Sequence, residues 1–129
     1  MALLNQDFTK FDYDTFQIKF TITDATTSLS SYSAWWGVSS AATDTSLVVE
    51  KATSNWASFG VSTGISMGTS SATISLSQSD FGGSGLLPNV TYYHELILSA
   101  TGNENDSVVV ASGEFTVNPS LFTNNTYRP

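Results

Sequence analysis

Cysteine is missing from this chain, so neither a disulfide framework nor a thiolate metal site can be built from it. Histidine occurs once, at His94, which leaves little for acid and base chemistry. Cations are almost as scarce: Lys10, Lys19, Lys51 and Arg128 stand against eleven acidic residues, for a formal net charge of -7. A nucleic-acid binder needs clustered cations to displace counterions from phosphates, and this balance argues against one. No apolar run approaches the roughly 20 residues that cross a bilayer. Met1-Ala2-Leu3-Leu4 is too short for a signal-peptide core and lacks a basic flank, so no cleaved leader is expected and synthesis in a cytoplasm is.

Serine and threonine take the place of charge, making up about 30 % of the 129 residues, while charged residues fall to 12 %, about half their usual share. The surface is therefore expected to be made of hydroxyls rather than ion pairs. A chain of this length suits one domain that can bury a core without staples. Its clearest pattern runs from Asp14 to Asp24: Phe16, Ile18, Phe20 and Ile22 fall on one side of a two-residue repeat, with Thr15, Gln17, Lys19, Thr21 and Thr23 on the other. That is the period of a half-buried strand.

Further strands are expected at short intervals. Phe8 and Phe11 lie in a short first segment; Tyr32 to Val38 resumes alternation, with Tyr32, Ala34, Trp36 and Val38 on one face and Trp35 on the other. Ser46 to Ala52 reads as a shorter strand, and Thr53 to Ser71 as a long hairpin or an irregular excursion carrying Trp56 and Phe59. Alternation returns at 72–76, a Gly-rich turn with one helical turn near Ser79 covers 78–85, and strands follow at 90–100 and 108–117 about a turn at 101–106. Gly113 is expected to mark a bulge or a point of close packing. About seven strands and no long helix give an all-β fold, an immunoglobulin-like antiparallel β-sandwich with extended termini. Its core would span about 8–117, with 1–7 and 118–129 as arms.

The residues that bear chemistry are few. His94 shares a strand face with Tyr92, Leu96 and Leu98, which suits a packed histidine better than a base, and Glu95 beside it points the other way. Asp12 and Asp14, with Asp7 or the turn at 103–106, could surround a hard cation, or simply cap turns; no loop carries the regular acidic spacing of a calcium motif, and no cofactor or metal is expected. Aromatic residues remain. Trp35 and Trp36 must face opposite ways, so one is left for the cover of the Trp56 and Phe59 excursion or for a partner. Trp56 with Tyr92 or Tyr93 would suit a sugar ring. Leu3 and Leu4 at one end, and Leu121, Phe122 and Tyr127 at the other, are apolar residues in polar segments, fit to add to a neighbour or to fray. The expected partner contacts are therefore Leu3, Leu4, Trp35, Trp56, Phe59, Leu121, Phe122 and Tyr127.

An ordered series of motifs adds a resemblance. Asp14-Thr15-Phe16, Leu29-Ser30-Ser31-Tyr32-Ser33-Ala34-Trp35-Trp36, Ile74-Ser75-Leu76-Ser77, Leu87-Pro88-Asn89-Val90-Thr91-Tyr92-Tyr93-His94-Glu95-Leu96 and Gly113-Glu114-Phe115-Thr116-Val117 span most of the chain. Together they resemble the small β-sandwich domain of tailed-bacteriophage virion proteins, especially at the N-terminus of baseplate upper proteins that carry receptor-binding fibres. The resemblance implies a non-enzymatic structural protein of a virion, binding neighbouring virion proteins in the tail, baseplate or fibre-attachment region as a multicopy or symmetric homo-oligomeric assembly. A capsid decoration protein on the head is the alternative within that reading. A carbohydrate-binding adhesion module is the alternative from another class.

Overall fold

Alternating residues pair into two facing sheets in the computed structural model, which describes residues 6–11, 15–22, 28–41, 47–54, 56, 63–82, 85–100 and 107–119. Eight strands follow in chain order among these residues: β1 Phe8–Phe11, β2 Phe16–Thr21, β3 Ser33–Ser39, β4 Leu47–Ala52, β5 Ile65–Met67, β6 Ser71–Leu76, β7 Val90–Ser99 and β8 Val108–Asn118. One sheet has the order β1-β8-β7-β3-β4 and the other β2-β6-β5. This is the strand arrangement of an immunoglobulin-like sandwich, with three consecutive antiparallel pairs at the heart of the larger sheet.

The expected β-sandwich is what forms, with two details added. The sandwich is mixed rather than wholly antiparallel, because β1 runs parallel to β8, with Phe8 opposite Phe115 and Phe11 opposite Asn118. Ahead of β1, the Gln6 amide donates to the Ser112 carbonyl at 2.9 Å, and the Asp7 carboxylate accepts from the Glu114 amide at 2.8 Å. Both residues are stitched to β8 ahead of β1. The strand β5 lies inside the segment read as a hairpin or excursion, where three residues are too few for alternation to show.

Glycine decides how closely the chain can approach β8. A Cβ on Gly113 would lie 2.5 Å from the Gln6 carbonyl oxygen, so close packing, and not a bulge, is the role of this residue. The bulge falls three residues earlier, where Leu96 pairs with Ala111 but Ile97 pairs with Val109, leaving Val110 without an opposite number. Val110 and Ala111 consequently both turn into the core, and Val109 turns out.

The core is aromatic at its centre. Trp36 and Phe115 are fully buried, and Phe8, Phe16 and Tyr92 stand around Phe115 with ring centroids 4.6, 6.0 and 6.5 Å away. Phe20, Ile74, Leu76, Leu86, Leu96 and Leu98 fill the space between the sheets. Each such side chain contributes roughly 1.5–3 kcal/mol by leaving water. At the β7 end, Asn89 adopts a positive φ of 65°, which an Asn tolerates, and the Leu87 amide donates to the Tyr92 hydroxyl at 2.7 Å. A tyrosine reaching back to backbone a few residues upstream at the start of this strand is a recurring corner of immunoglobulin-like sandwiches. The helical turn expected near Ser79 is a 3-10 turn over Gln78–Asp80, and Asp80 there pairs with Lys51 of β4 at 2.9 Å, tying the turn after β6 to the larger sheet.

Candidate functional site

Strand register sorts the side chains of the larger sheet into rows. On its outer face one row reads Ala52, Trp35, Ile97, Val109 across β4, β3, β7 and β8; the next reads Glu50, Gly37, Glu95, Ser112; the one after it carries Ser39, Tyr93 and Glu114. Two residues along the strand from Trp35, Gly37 has no side chain, and the indole lies across it so closely that a Cβ would fall within the ring. The indole Nε1–H donates to the Glu50 carboxylate at 3.2 Å, which holds the ring flat. Trp35 is half-buried, and Ala52 beside it on β4 is fully buried. Ile97 is likewise half-buried, and Val109 is 41 % exposed.

Charge on this face has one sign. Glu50, Glu95 and Glu114 are all exposed, and the Glu95 carboxylate has no hydrogen bond or ion pair among the described residues. The described cations are elsewhere: the Lys10 ammonium lies 4.8 Å over the Phe16 ring, Lys51 holds Asp80, and Lys19 is on β2 in the other sheet. The outer face of that smaller sheet carries hydroxyls, the Gln17 amide bonded to Ser75 at 3.2 Å and the exposed Lys19. The two faces of the sandwich thus differ in kind.

The residues expected to meet partners divide three ways. Trp35 is on the outer face just described. Trp56 is not available to a partner or a sugar: it is buried, only 6 % exposed, and its amide donates to the Thr53 carbonyl at 3.0 Å. Tyr92 is buried as well, so the flat aromatic pair imagined for a sugar does not form. Leu3, Leu4, Phe59, Leu121, Phe122 and Tyr127 lie outside the described residues, as do Asp12, Asp14 and the turn at 103–106. Sequence reasoning missed Phe11, Leu87, Val108 and Val109, large apolar side chains left exposed at 54, 43, 60 and 41 %. Phe11 could have been found by parity, since it stands opposite in phase to the half-buried Phe8.

His94 is held between rings. Trp36 Nε1–H donates to its Nδ1 at 3.3 Å, so the proton sits on Nε2, which donates to the Gln6 carbonyl at 2.6 Å. Phe8, Phe20 and Trp36 pack around it with centroids 5.0, 5.8 and 5.9 Å away. Burial pushes its pKa below the ordinary histidine value, while the bond to Gln6 and the nearby Asp7 carboxylate pull the other way. Both ring nitrogens are committed to protein atoms, and the imidazole works as a bridge between β3, β7 and the residue leading into β1.

A shallow cleft of about 430 Å³ opens elsewhere, between the chain before β3 and strand β5, lined by Ser30, Ser31, Tyr32, Thr53, Ser54, Ile65 and Met67. Its hydroxyls and single tyrosine offer hydrogen bonds with a small apolar floor. No known protein family matches the chain, and no curated protein matches it either.

Proposed function

We propose that the chain is a non-enzymatic structural protein of a tailed-phage virion, a sandwich adaptor that binds neighbouring virion proteins in the tail, baseplate or fibre-attachment region. The virion part of this reading comes from the ordered series of sequence motifs. The association part is carried by one observation: the outer face of the β1-β8-β7-β3-β4 sheet presents a flat tryptophan beside Ile97 and Val109, next to a carboxylate row. A surface with an aromatic at its centre and polar residues around it has the make-up of a protein-binding patch. Many copies in a symmetric particle would let modest contacts add up.

Localising the chain in purified particles tests the proposal. Density for the sandwich in the tail or baseplate supports it, density on the head moves it to the decoration role, and particles that lack the chain overturn it. The carbohydrate reading survives on a different observation, the hydroxyl-lined cleft beside Tyr32. A glycan array separates the two readings, because a sugar bound by the native chain and lost in Tyr32→Ala with the fold intact favours the cleft. Trp56→Ala is the wrong variant for that purpose, since Trp56 is buried.

A further inference from the structure

We infer that Trp35 and Glu95 form a seat for an arginine side chain presented by a partner protein. The inference rests on the reading of this chain as an association module, whatever particle it serves.

The argument begins at Gly37. Its cross-strand neighbours are Glu50 on β4 and Glu95 on β7, so two carboxylates flank the one position over which the indole lies. Adjacent strands are about 4.8 Å apart, which places the two Glu backbones roughly 10 Å from each other with the ring between them. Their roles differ. Glu50 is spent on the indole N–H and sets the plane of the ring, whereas Glu95 is exposed and has no partner among the described residues.

A flat indole face with a free carboxylate beside it matches one side chain better than the others. Guanidinium is planar, stacks on aromatic faces, is weakly hydrated and offers a fork of N–H donors to a carboxylate. Stacked on Trp35, it would direct those donors sideways to Glu95, while its methylene stem would run over Ile97 and Val109, the apolar pair in the adjoining row. Charge favours the same occupant. Glu114 stands one row further along the face, none of the described cations is there, and the whole chain carries -7. An acidic partner would be repelled, and a purely apolar one would strip water from Glu95 with nothing in return.

The test uses the full chain, an Arg-Gly-Ser repeat peptide and its Lys-Gly-Ser and Glu-Gly-Ser counterparts, followed by two-dimensional NMR. The three tryptophans give three indole N–H signals, and Trp35→Phe identifies the one that matters. The arginine peptide is expected to shift that signal and the neighbouring Ile97 amide, the lysine peptide to bind several-fold more weakly, and the glutamate peptide to do nothing. Glu95→Gln should weaken binding about tenfold. Gly37→Ala keeps every charge but pushes the indole off the sheet, and it should weaken binding as much. Should Gly37→Ala fail to fold, Trp35→Leu makes the same test, with preserved amide dispersion as the check on structure. Equal binding in these charge-preserving variants, or equal shifts over all carboxylate-bearing strands, would overturn the seat and leave only diffuse attraction. Particle localisation is independent: a chain found in particles that ignores the arginine peptide removes the seat alone, and a chain absent from particles that binds it removes the virion reading alone.

Discussion

A single imidazole is expected to make this protein sensitive to acid. His94 is neutral where it sits, because Nδ1 must accept from Trp36 and a second proton would set one donor against another. Its pKa in the folded chain lies below the unfolded value near 6.5, so the unfolded chain takes up the proton first as pH falls. Stability from this group is therefore complete above about pH 6.5 and is lost on descending from there towards the folded pKa. Urea midpoints measured between pH 7.5 and 5 should fall more steeply for the native chain than for His94→Gln, and equal slopes would show that the imidazole is not held neutral. At Tyr92 the chemistry is simpler. Tyr92→Phe leaves the Leu87 amide without its acceptor and is expected to cost about 1 kcal/mol, read as a lower denaturation midpoint with the strands intact.

Among the elements, β1 is the one whose attachment can be dissected. It pairs with a single neighbour, in parallel, and is reinforced from both sides: Phe8 packs on Phe115 and His94, and Lys10 covers Phe16 of the opposite sheet. The approach depends on a missing side chain, since a Cβ at Gly113 would collide with the backbone of Gln6 rather than with a movable side-chain tip. Gly113→Ala should thus lift the start of the chain from β8 at a cost of roughly 1–3 kcal/mol. Hydrogen exchange reads this directly, with faster exchange expected at the β1 amides and unchanged protection in β3 and β7. Uniform acceleration everywhere would mean that β1 is integral to one cooperative unit. The parallel pairing was not legible beforehand, because alternation reports which way side chains point and is silent on which strand lies alongside.

For the molecule as a whole, the two outer faces differ in kind, and the proposed association rests on the larger sheet. The smaller sheet presents hydroxyls, the Gln17 amide bonded to Ser75 and the exposed Lys19. The larger sheet bears its apolar residues where the core has no use for them. Val109→Thr should alter stability by no more than about 0.5 kcal/mol, as surface changes do, yet, on the proposed virion reading, reduce incorporation into particles measured against native chain in competition. A large loss of stability instead would show that this valine serves the fold. Trp35 behaves differently from Trp56 under the same test: Trp56→Ala empties part of the interior and is expected to cost about 3–5 kcal/mol, seen as a lowered melting temperature.

The alternation of β2 and β7, the opposed faces of Trp35 and Trp36 and the all-β character were all legible in the amino-acid order, because strand periodicity is a local property of the chain. So was the inward position of His94, given apolar neighbours two residues away on either side. Tertiary structure alone decided the rest. It buried Trp56, placed the bulge at Val110, laid the Trp35 ring over Gly37 and set Glu50 and Glu95 on either side of it. The physical reason is register: Glu50, Trp35 and Glu95 lie on three strands, and only the hydrogen-bonded alignment of those strands determines which side chains become neighbours.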